Sequence, residues 1–285
     1  MRSPARWWTR PERPDRVSID VSILIVGCGN MGGAMLAGWL VGGIDPQTIT
    51  VVDPVLAVVP EGVTLLRMMP SGATFDVVLI GFKPQQLETV ASDVAPAIGA
   101  GTVVLSLLAG VELATLRAHL GAAGAIMRVM PNLAAAIGKS PIGLIGDGDE
   151  AARSLTDALM APLGRAEWLA DEAQMDLLTA LAGSGPAFVY RFIDALATGA
   201  AALGMDRAQA DRLALAMVEG SAALAAASPD GPGALADKVA SPGGVTRKGL
   251  DVLDADRRMV RLAEDTLRAA RDRSAEMALA ARGGD

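Results

Sequence analysis

Three glycines near the start of the chain have a spacing that suits phosphate binding. Gly27, Gly29 and Gly32 form the pattern G-x-G-x-x-G directly after an apolar run at 22–26, and a helical pattern follows. The first glycine permits a tight turn, the second lets the backbone approach a pyrophosphate, and the third lets the helix pack on the strand. The helix N-terminus then offers free N–H groups to phosphate. The motif predicts a dinucleotide site, with a glycine-rich packing turn as the alternative.

An acidic residue stands where such a site needs one. Asp53 ends the next predicted strand, about 20 residues on, where a carboxylate would accept a hydrogen bond from a ribose 2′-hydroxyl. The same carboxylate would repel a 2′-phosphate, and no Arg or Lys lies between Asp53 and Arg67. The local chemistry therefore mildly favours NADH over NADPH. The alternative is that Asp53 only initiates a turn before Pro54.

A second candidate loop contains one of the few lysines. Only four of the 25 basic residues are Lys, and Lys83 follows the fourth predicted strand. Open α/β sheets bind ligands at this carboxyl edge, so we expect Lys83 in a cofactor loop; the alternative is a solvated loop lysine. Cys28, inside the glycine loop, is expected to be a small filler whose backbone matters rather than a redox sensor.

The elements that must position these residues alternate along the first half of the chain. Short apolar strands are predicted at 22–26, 48–52, 63–66, 76–80, 102–107 and 125–130. Helical patterns follow the first, fourth and fifth of them. Strands separated by helices imply parallel βαβ units, and hence an α/β fold with a doubly wound, Rossmann-type parallel sheet.

The second half is nearly all helical and rich in Ala. After two short strands, at 142–145 and near 167–169, helical patterns cover 171–203, 207–226 and 255–281. These helices cannot obviously bury all their apolar surface within one chain. We therefore expect an all-helical dimerisation domain and an intertwined homodimer or an assembly of dimers.

The first residues differ in composition from everything that follows. Residues 1–20 contain five Arg and three Pro, and they lack the apolar segment of a secretory signal. We expect a disordered tail or an upstream start codon, with a weak anchoring role for Trp7 and Trp8 as the alternative. The predicted domains are thus the tail at 1–20, a dinucleotide-binding domain at 21–170 and a helical substrate and dimerisation domain at 171–285.

Composition restricts the remaining classes of function. A net charge of −7 argues against nucleic acid and anionic membranes as partners, and 3% aromatic residues are too few for a base-stacking platform. One Cys and one His cannot form a zinc site, and one Cys cannot form an internal disulfide. No apolar run reaches the roughly 18 residues of a membrane span. We expect a cytoplasmic protein with a small-molecule substrate and no metal.

Several further segments carry a more specific resemblance. They are Arg128-Val-Met-Pro-Asn132, Gly183-Ser-Gly-Pro-Ala187 and Ser241-Pro-Gly-Gly-Val-Thr246, with Gly29-Asn-Met31 and Phe82-Lys-Pro-Gln85. Together they closely resemble the pyrroline-5-carboxylate reductase family over about residues 21–280. The resemblance implies reduction of 1-pyrroline-5-carboxylate to L-proline with NADH or NADPH, the final step of proline biosynthesis. It also implies a helical domain that interlocks with a second subunit.

The resemblance assigns residues to both ends of the site. The family's cofactor loops match Gly27, Cys28, Gly29, Asn30, Met31, Gly32, Asp53, Gly81, Phe82, Lys83, Pro84, Leu107, Leu108 and Ala109. Its substrate end matches Glu172, Lys238, Ser241, Gly243, Gly244, Val245 and Thr246. Three positions depart from many relatives. Asp53 replaces a small hydroxyl or basic residue, Met68 stands where a ribose-binding Asn is common, and Lys238 is Asn in some relatives.

Imine reduction suits this set of residues. The ring C=N of the substrate becomes electrophilic when protonated, and hydride addition leaves a secondary amine, so the reaction needs neither a nucleophile nor a metal. The turn at Ser241–Gly244 can present backbone N–H groups to the substrate carboxylate. Thr246, the catalytic candidate, could hydrogen-bond the ring nitrogen. We favour an orienting role for Thr246, because a hydroxyl is a poor acid.

Other functions stay open at this level. A related enzyme could act on another cyclic imine or on a 3-hydroxy acid, but the hydroxy-acid enzymes need a catalytic Lys on the helical domain, and residues 171–227 contain none. A cofactor-binding regulator would bind NADH without turnover. The segment Gly183-Ser-Gly-Pro186 is expected to kink its helix, either to make room for nicotinamide or substrate or as a plain junction.

Overall fold

The structure is a computed structural model, and it describes residues 19–282. The tail predicted at 1–20, with Trp7 and Trp8, therefore lies outside the described residues apart from its last two. The fold class predicted from the sequence is confirmed: a Rossmann-type α/β sheet is followed by a helical region.

Within residues 19–282 the chain forms one sheet of eight strands. The strands are β1 (Ile23–Val26), β2 (Ile49–Val52), β3 (Thr64–Leu66), β4 (Val77–Ile80), β5 (Val103–Ser106), β6 (Ala125–Met130), β7 (Ser140–Gly146) and β8 (Gly164–Trp168). Their order across the sheet is β3-β2-β1-β4-β5-β6-β7-β8. The order reverses between β1 and β4, which is the switch point where doubly wound sheets bind ligands.

All strand pairs are parallel except one. The strand β7 runs antiparallel to β6, and β8 is parallel to β7. A parallel return needs a crossover of about a dozen residues or more. Only residues 131–139 separate β6 from β7, and they form a 3₁₀ turn at Leu133–Ile137 instead of a crossover helix. The short connection therefore reverses the strand direction.

Ten α-helices accompany the strands in the described part of the chain. They are α1 (Asn30–Gly42), α2 (Leu87–Val94), α3 (Leu113–His119), α4 (Glu150–Met160), α5 (Gln174–Leu178), α6 (Gly185–Ala202), α7 (Arg207–Ala227), α8 (Pro232–Val239), α9 (Val245–Asp254) and α10 (Arg258–Arg282). The sequence patterns did not predict α4, α8 or α9. Asp149 marks the start of α4, since its side chain accepts a hydrogen bond from the N–H of Ala152 at 2.9 Å.

The sheet is buried on both faces, which explains why its strands are apolar at successive positions. Ile23 and Ile25 face a core layer that contains Met35 and Trp39 of α1. Leu24 and Val26 point the other way, into a layer with the helices α2 and α3. The carboxyl ends of β1 and β4 are therefore packed on both faces, and the loops that follow them begin there.

By its contacts the described chain divides into two units. The first comprises the residues up to Met175 together with the C-terminal end from Ala278, and the second spans Asp176–Met277. The first unit contains the sheet, and the second contains the helices from α6 to α9 and most of α10. The predicted boundary near residue 170 lies just before this division. In the described residues, no helix is long and apolar enough to cross a membrane.

Candidate active site

The glycine loop joins β1 to α1 in a conformation that requires glycine. Gly27 has φ +83°, and a Cβ at this position would lie 2.8 Å from the backbone nitrogen of Phe82. A Cβ on Gly32 would lie 2.9 Å from the carbonyl oxygen of Gly27, so this glycine allows α1 to approach the loop closely. A Cβ on Gly29 would meet no atom within 4 Å. The loop therefore presents its backbone to open space at Gly29.

A second loop lies directly beside the first at the switch point. Val26 pairs with Ile80 at the ends of β1 and β4, and the N–H of Gly81 donates to the carbonyl of Val26 at 2.9 Å. A Cβ on Gly81 would lie 2.7 Å from the carbonyl oxygen of Gly27. The two loops can therefore contact each other only because both positions are glycine.

Asp53 fastens the end of β2 to the glycine loop. Its Oδ2 accepts a hydrogen bond from the N–H of Cys28 at 3.0 Å, and its Oδ1 accepts from the N–H groups of Val55 and Leu56, both at 2.9 Å. Burial raises the pKa of Asp53, but these three hydrogen bonds and the charge of Arg67 outweigh it and hold that pKa below its ordinary value. The carboxylate thus initiates a turn and also supports the loop.

The thiol of Cys28 is buried beneath the same loop. Burial, and then the negative charge of Asp53, raise its pKa from 9.0 to about 11. A thiol with such a pKa is protonated and unreactive at neutral pH. This environment supports the expectation that Cys28 is a filler.

An open cavity of about 1220 Å³ extends from the glycine loop across the carboxyl edge of the sheet. Among the predicted cofactor residues, its lining contains Gly27, Gly29, Asp53, Gly81, Phe82, Lys83, Pro84, Leu107 and Ala109. Cys28 and Asn30 line a smaller neighbouring depression with Gly29 and Asp53. Leu108 is buried in the core below and does not line the cavity, whereas Gly32 and Met31 belong to the first turn of α1.

Sequence reasoning missed part of this cavity. Its lining also includes Arg67, the segment 69–72 and, from the region of α2, Val90, Asp93 and Pro96. Met68, noted above as a departure from the family, lines it as well. Arg67 directly follows β3, which pairs with β2 in register. The strand prediction could have located it, because residues that follow neighbouring parallel strands emerge at the same edge of a sheet.

Most of the predicted substrate residues cluster in one turn of the second unit. The N–H of Gly244 donates to the carbonyl of Ser241 at 3.0 Å, and Gly243 has φ +70°. Gly244 is the N-cap of α9, so Val245 and Thr246 occupy its first turn and both are exposed. The first N–H groups of a helix have no intrahelical partner. This end of α9 can therefore bind an anion.

The two charged residues predicted for the substrate end have other partners. Nζ of Lys238 forms an ion pair with Asp230. Glu172, in the first unit, accepts hydrogen bonds from Nη1 of Arg128 at 2.6 Å and from the N–H of Leu113 at 2.9 Å. Both of these hydrogen bonds go to Oε1, which ties that oxygen to the sheet and to the start of α3.

The helix break predicted at Gly183–Pro186 is a change of helix type. Residues Thr179–Gly183 form a π-helical turn, in which the N–H of Ser184 donates to the carbonyl of Thr179 at 2.9 Å, and α6 begins at Gly185. Single π turns inside helices often occur at functional sites. That the break makes room for nicotinamide or substrate stays a prediction.

The arrangement in the first unit fits a dinucleotide. The backbone at Gly29 borders open space, and this glycine is also the N-cap of α1, with no side chain to cap the helix. The cavity continues from there to Asp53 and Arg67 at the ends of β2 and β3. These positions correspond to the pyrophosphate and adenosine ribose sites of a doubly wound fold. The edge of the sheet in the first unit therefore fits the phosphate and ribose groups of such a cofactor.

Comparisons with known proteins agree with this assignment. Residues 172–277 match the family model for pyrroline-5-carboxylate reductase dimerisation, and residues 22–110 match the model for NADP oxidoreductase, coenzyme F420-dependent. The pyrroline-5-carboxylate reductase of Pseudomonas aeruginosa is 33% identical over 264 residues, which cover 90% of this chain and 96% of that protein.

Solved structures show the same similarity. A pyrroline-5-carboxylate reductase from Coxiella burnetii superimposes with a TM-score of 0.84 at 29% identity, covering 90% of this chain and 98% of that one. The Plasmodium falciparum pyrroline carboxylate reductase, solved with NADP bound, has a TM-score of 0.77 at 23% identity, covering 92% and 99%. At that identity the second comparison supports the fold.

Fold and site together define an oxidoreductase that uses a nicotinamide dinucleotide, with a Rossmann-type domain and a helical dimerisation domain. The identity to curated relatives then specifies the group: this chain belongs to the pyrroline-5-carboxylate reductase family.

Proposed function

We propose that the chain reduces 1-pyrroline-5-carboxylate to L-proline with a nicotinamide cofactor. The observation that carries this proposal is the turn at Ser241–Gly244, which leads into the exposed first turn of α9. A Rossmann-type domain alone would equally suit a regulator that only binds a dinucleotide. Free N–H groups at the start of α9 would supply the anion site that a substrate carboxylate requires.

The chain's own residues have distinct tasks in this scheme. The glycine loop and the loop at Gly81–Pro84 would hold the dinucleotide, which supplies a hydride when bound. Free N–H groups at the start of α9 would bind the substrate carboxylate. The hydroxyl of Thr246, in the same turn, would orient the ring nitrogen. Fixing both reactants in one geometry lowers the entropic part of the barrier, and this is the main contribution required of the protein.

The cofactor is proposed to be NADPH or NADH. The sequence argument for a mild NADH preference depends on the negative charge of Asp53 and on the lack of a cation between Asp53 and Arg67. In the structure, three backbone N–H groups occupy that carboxylate, and Arg67 itself lies beside Asp53. The charge that would repel a 2′-phosphate is therefore partly compensated.

A homodimer is proposed from the apolar surface of the second unit. Leu181, Tyr190, Leu215 and Leu262 each expose more than half of their surface. Such a density of exposed apolar side chains needs a partner surface, and the match to a dimerisation model supports a second copy of the chain. Light scattering should give at least twice the chain mass of 29.1 kDa. A cytoplasmic location stays a prediction.

One assay tests the activity. Purified protein is mixed with 1-pyrroline-5-carboxylate and with NADH or NADPH in turn, and the loss of reduced cofactor and the formation of proline are both measured. Equal amounts of proline formed and cofactor oxidised are expected. Tight cofactor binding without proline formation would instead support a regulator. Oxidation of a 3-hydroxy acid in the reverse assay would support the alternative enzyme class.

A further inference from the structure

Arg67 lies beside Asp53 in the structure, although the two residues are separated in sequence. In a doubly wound fold this edge of the sheet binds the adenosine ribose. The N–H of Asp53 donates to the carbonyl of Leu66 at 3.1 Å, which continues the ladder between β2 and β3 by one residue. Arg67 therefore emerges beside Asp53 at the carboxyl edge of the sheet. Both residues line the same cavity as the glycine loop.

Main-chain oxygens hold one corner of the Arg67 guanidinium. Its Nη1 donates to the carbonyl of Asp53 at 2.9 Å and to the carbonyl of Leu56 at 2.6 Å. Its Nε and Nη2 donate to no residue in the described part of the chain, and the side chain is exposed. An anchored guanidinium with a free pair of donors matches the geometry of a phosphate.

Asp53 does not oppose a phosphate at this place as a free carboxylate would. Both of its oxygens accept backbone hydrogen bonds, and only 8% of the residue is exposed. The hydrogen bond from the N–H of Cys28 to Oδ2 gives the Asp53 carboxylate a structural role that requires no contact with a ribose. The positive charge that reaches the cavity at the ends of β2 and β3 is that of Arg67.

We propose that Arg67 is the residue that selects for the 2′-phosphate of NADPH, while Asp53 supports the glycine loop. This inference rests on the proposed nicotinamide site and adds the basis of cofactor choice. The other cation of the cavity is Lys83, which follows β4 on the far side of the switch point. It is expected to affect NADH and NADPH equally.

Binding of cofactor fragments separates this role from catalysis. Calorimetry would compare 2′,5′-ADP, which carries the 2′-phosphate, with 5′-ADP, which lacks it. Arg67→Gln should raise the Kd of 2′,5′-ADP by about 10- to 100-fold, the size expected for a hydrogen-bonded charge pair, and that of 5′-ADP by less than about threefold. Arg67→Lys should give an intermediate value because it keeps the charge and loses the paired donors.

The matched control is Arg165→Gln. This substitution removes an arginine whose side chain on β8 is 89% exposed, outside the cavity, and should leave both Kd values unchanged. Equal weakening of both fragments by Arg67→Gln would overturn the proposal, and so would equal binding of both fragments by the unaltered protein. If the fragment result holds but no proline forms in the assay above, the inference stands and the proposed reaction fails.

Discussion

Nη1 of Arg128 lies 2.6 Å from Oε1 of Glu172, and this ion pair joins the interior of β6 to the segment just before α5. The Arg128 side chain is 6% exposed and that of Glu172 is 28% exposed. A buried guanidinium that loses its carboxylate is strongly destabilising, because its charge is left without compensation. The resemblance to the family assigns Glu172 to the substrate instead, and the two roles predict different results.

Glu172→Gln should therefore lower the free energy of unfolding by about 2 kcal/mol, a value reduced for the partial exposure of Glu172. Urea denaturation measures this change. The matched control is Glu167→Gln, which removes the carboxylate of an exposed pair with Arg165 and should cost at most about 0.5 kcal/mol. Unchanged stability, combined with a higher KM for the substrate, would favour the substrate role over the structural one.

Glycine substitutions should separate the strained loop from the helix that follows it. Gly27→Ala places a Cβ 2.8 Å from the Phe82 nitrogen at φ +83°, and we expect a loss of about 1–3 kcal/mol in stability. Gly33→Ala, six residues on in α1, meets no atom within 4 Å and should stabilise the protein by roughly 0.5–1 kcal/mol. Thermal or urea unfolding of both variants checks the prediction. A similar effect of both substitutions would contradict the loop geometry.

Cys28 should react slowly with thiol reagents in the folded protein. Burial first, and then the charge of Asp53, raise its pKa from 9.0 to about 11, so the thiolate fraction near pH 8 falls about a hundredfold. Because the chain has a single Cys, alkylation by iodoacetamide reports on this thiol alone. The rate should rise sharply when the protein is unfolded in urea. Rapid alkylation of the native protein at pH 8 would support the alternative, in which Cys28 is a redox sensor.

Thr246→Ala should lower kcat by about tenfold or more, because a misplaced ring nitrogen loses its alignment with the hydride donor. The KM for the cofactor should change by less than about threefold, since Thr246 belongs to the turn at the start of α9 and not to the glycine loop. Thr246→Ser keeps the hydroxyl and should restore most of the rate. Steady-state kinetics with all three proteins provide the measurement. An effect limited to cofactor binding would contradict a role for Thr246 in binding the substrate.

Local sequence patterns predicted the structure correctly wherever neighbouring residues determine it. The apolar strands and the glycine loop depend on backbone conformation and short-range periodicity, and the structure has both close to their predicted positions. The helices α8 and α9 were missed because the segment that contains them was interpreted only as a motif. The helix α4 was missed although Asp149 supplies an ordinary N-cap.

The amino-acid sequence by itself determined the class of fold, the glycine loop and the family, since these depend on residue types at fixed spacings. Only the tertiary structure decided what the charged residues do. Strand pairing places Arg67 beside Asp53, and hydrogen bonding commits Asp53 to Cys28 and Glu172 to Arg128. A spacing along the chain cannot reveal such partners, because each contact joins residues brought together by strand register and burial.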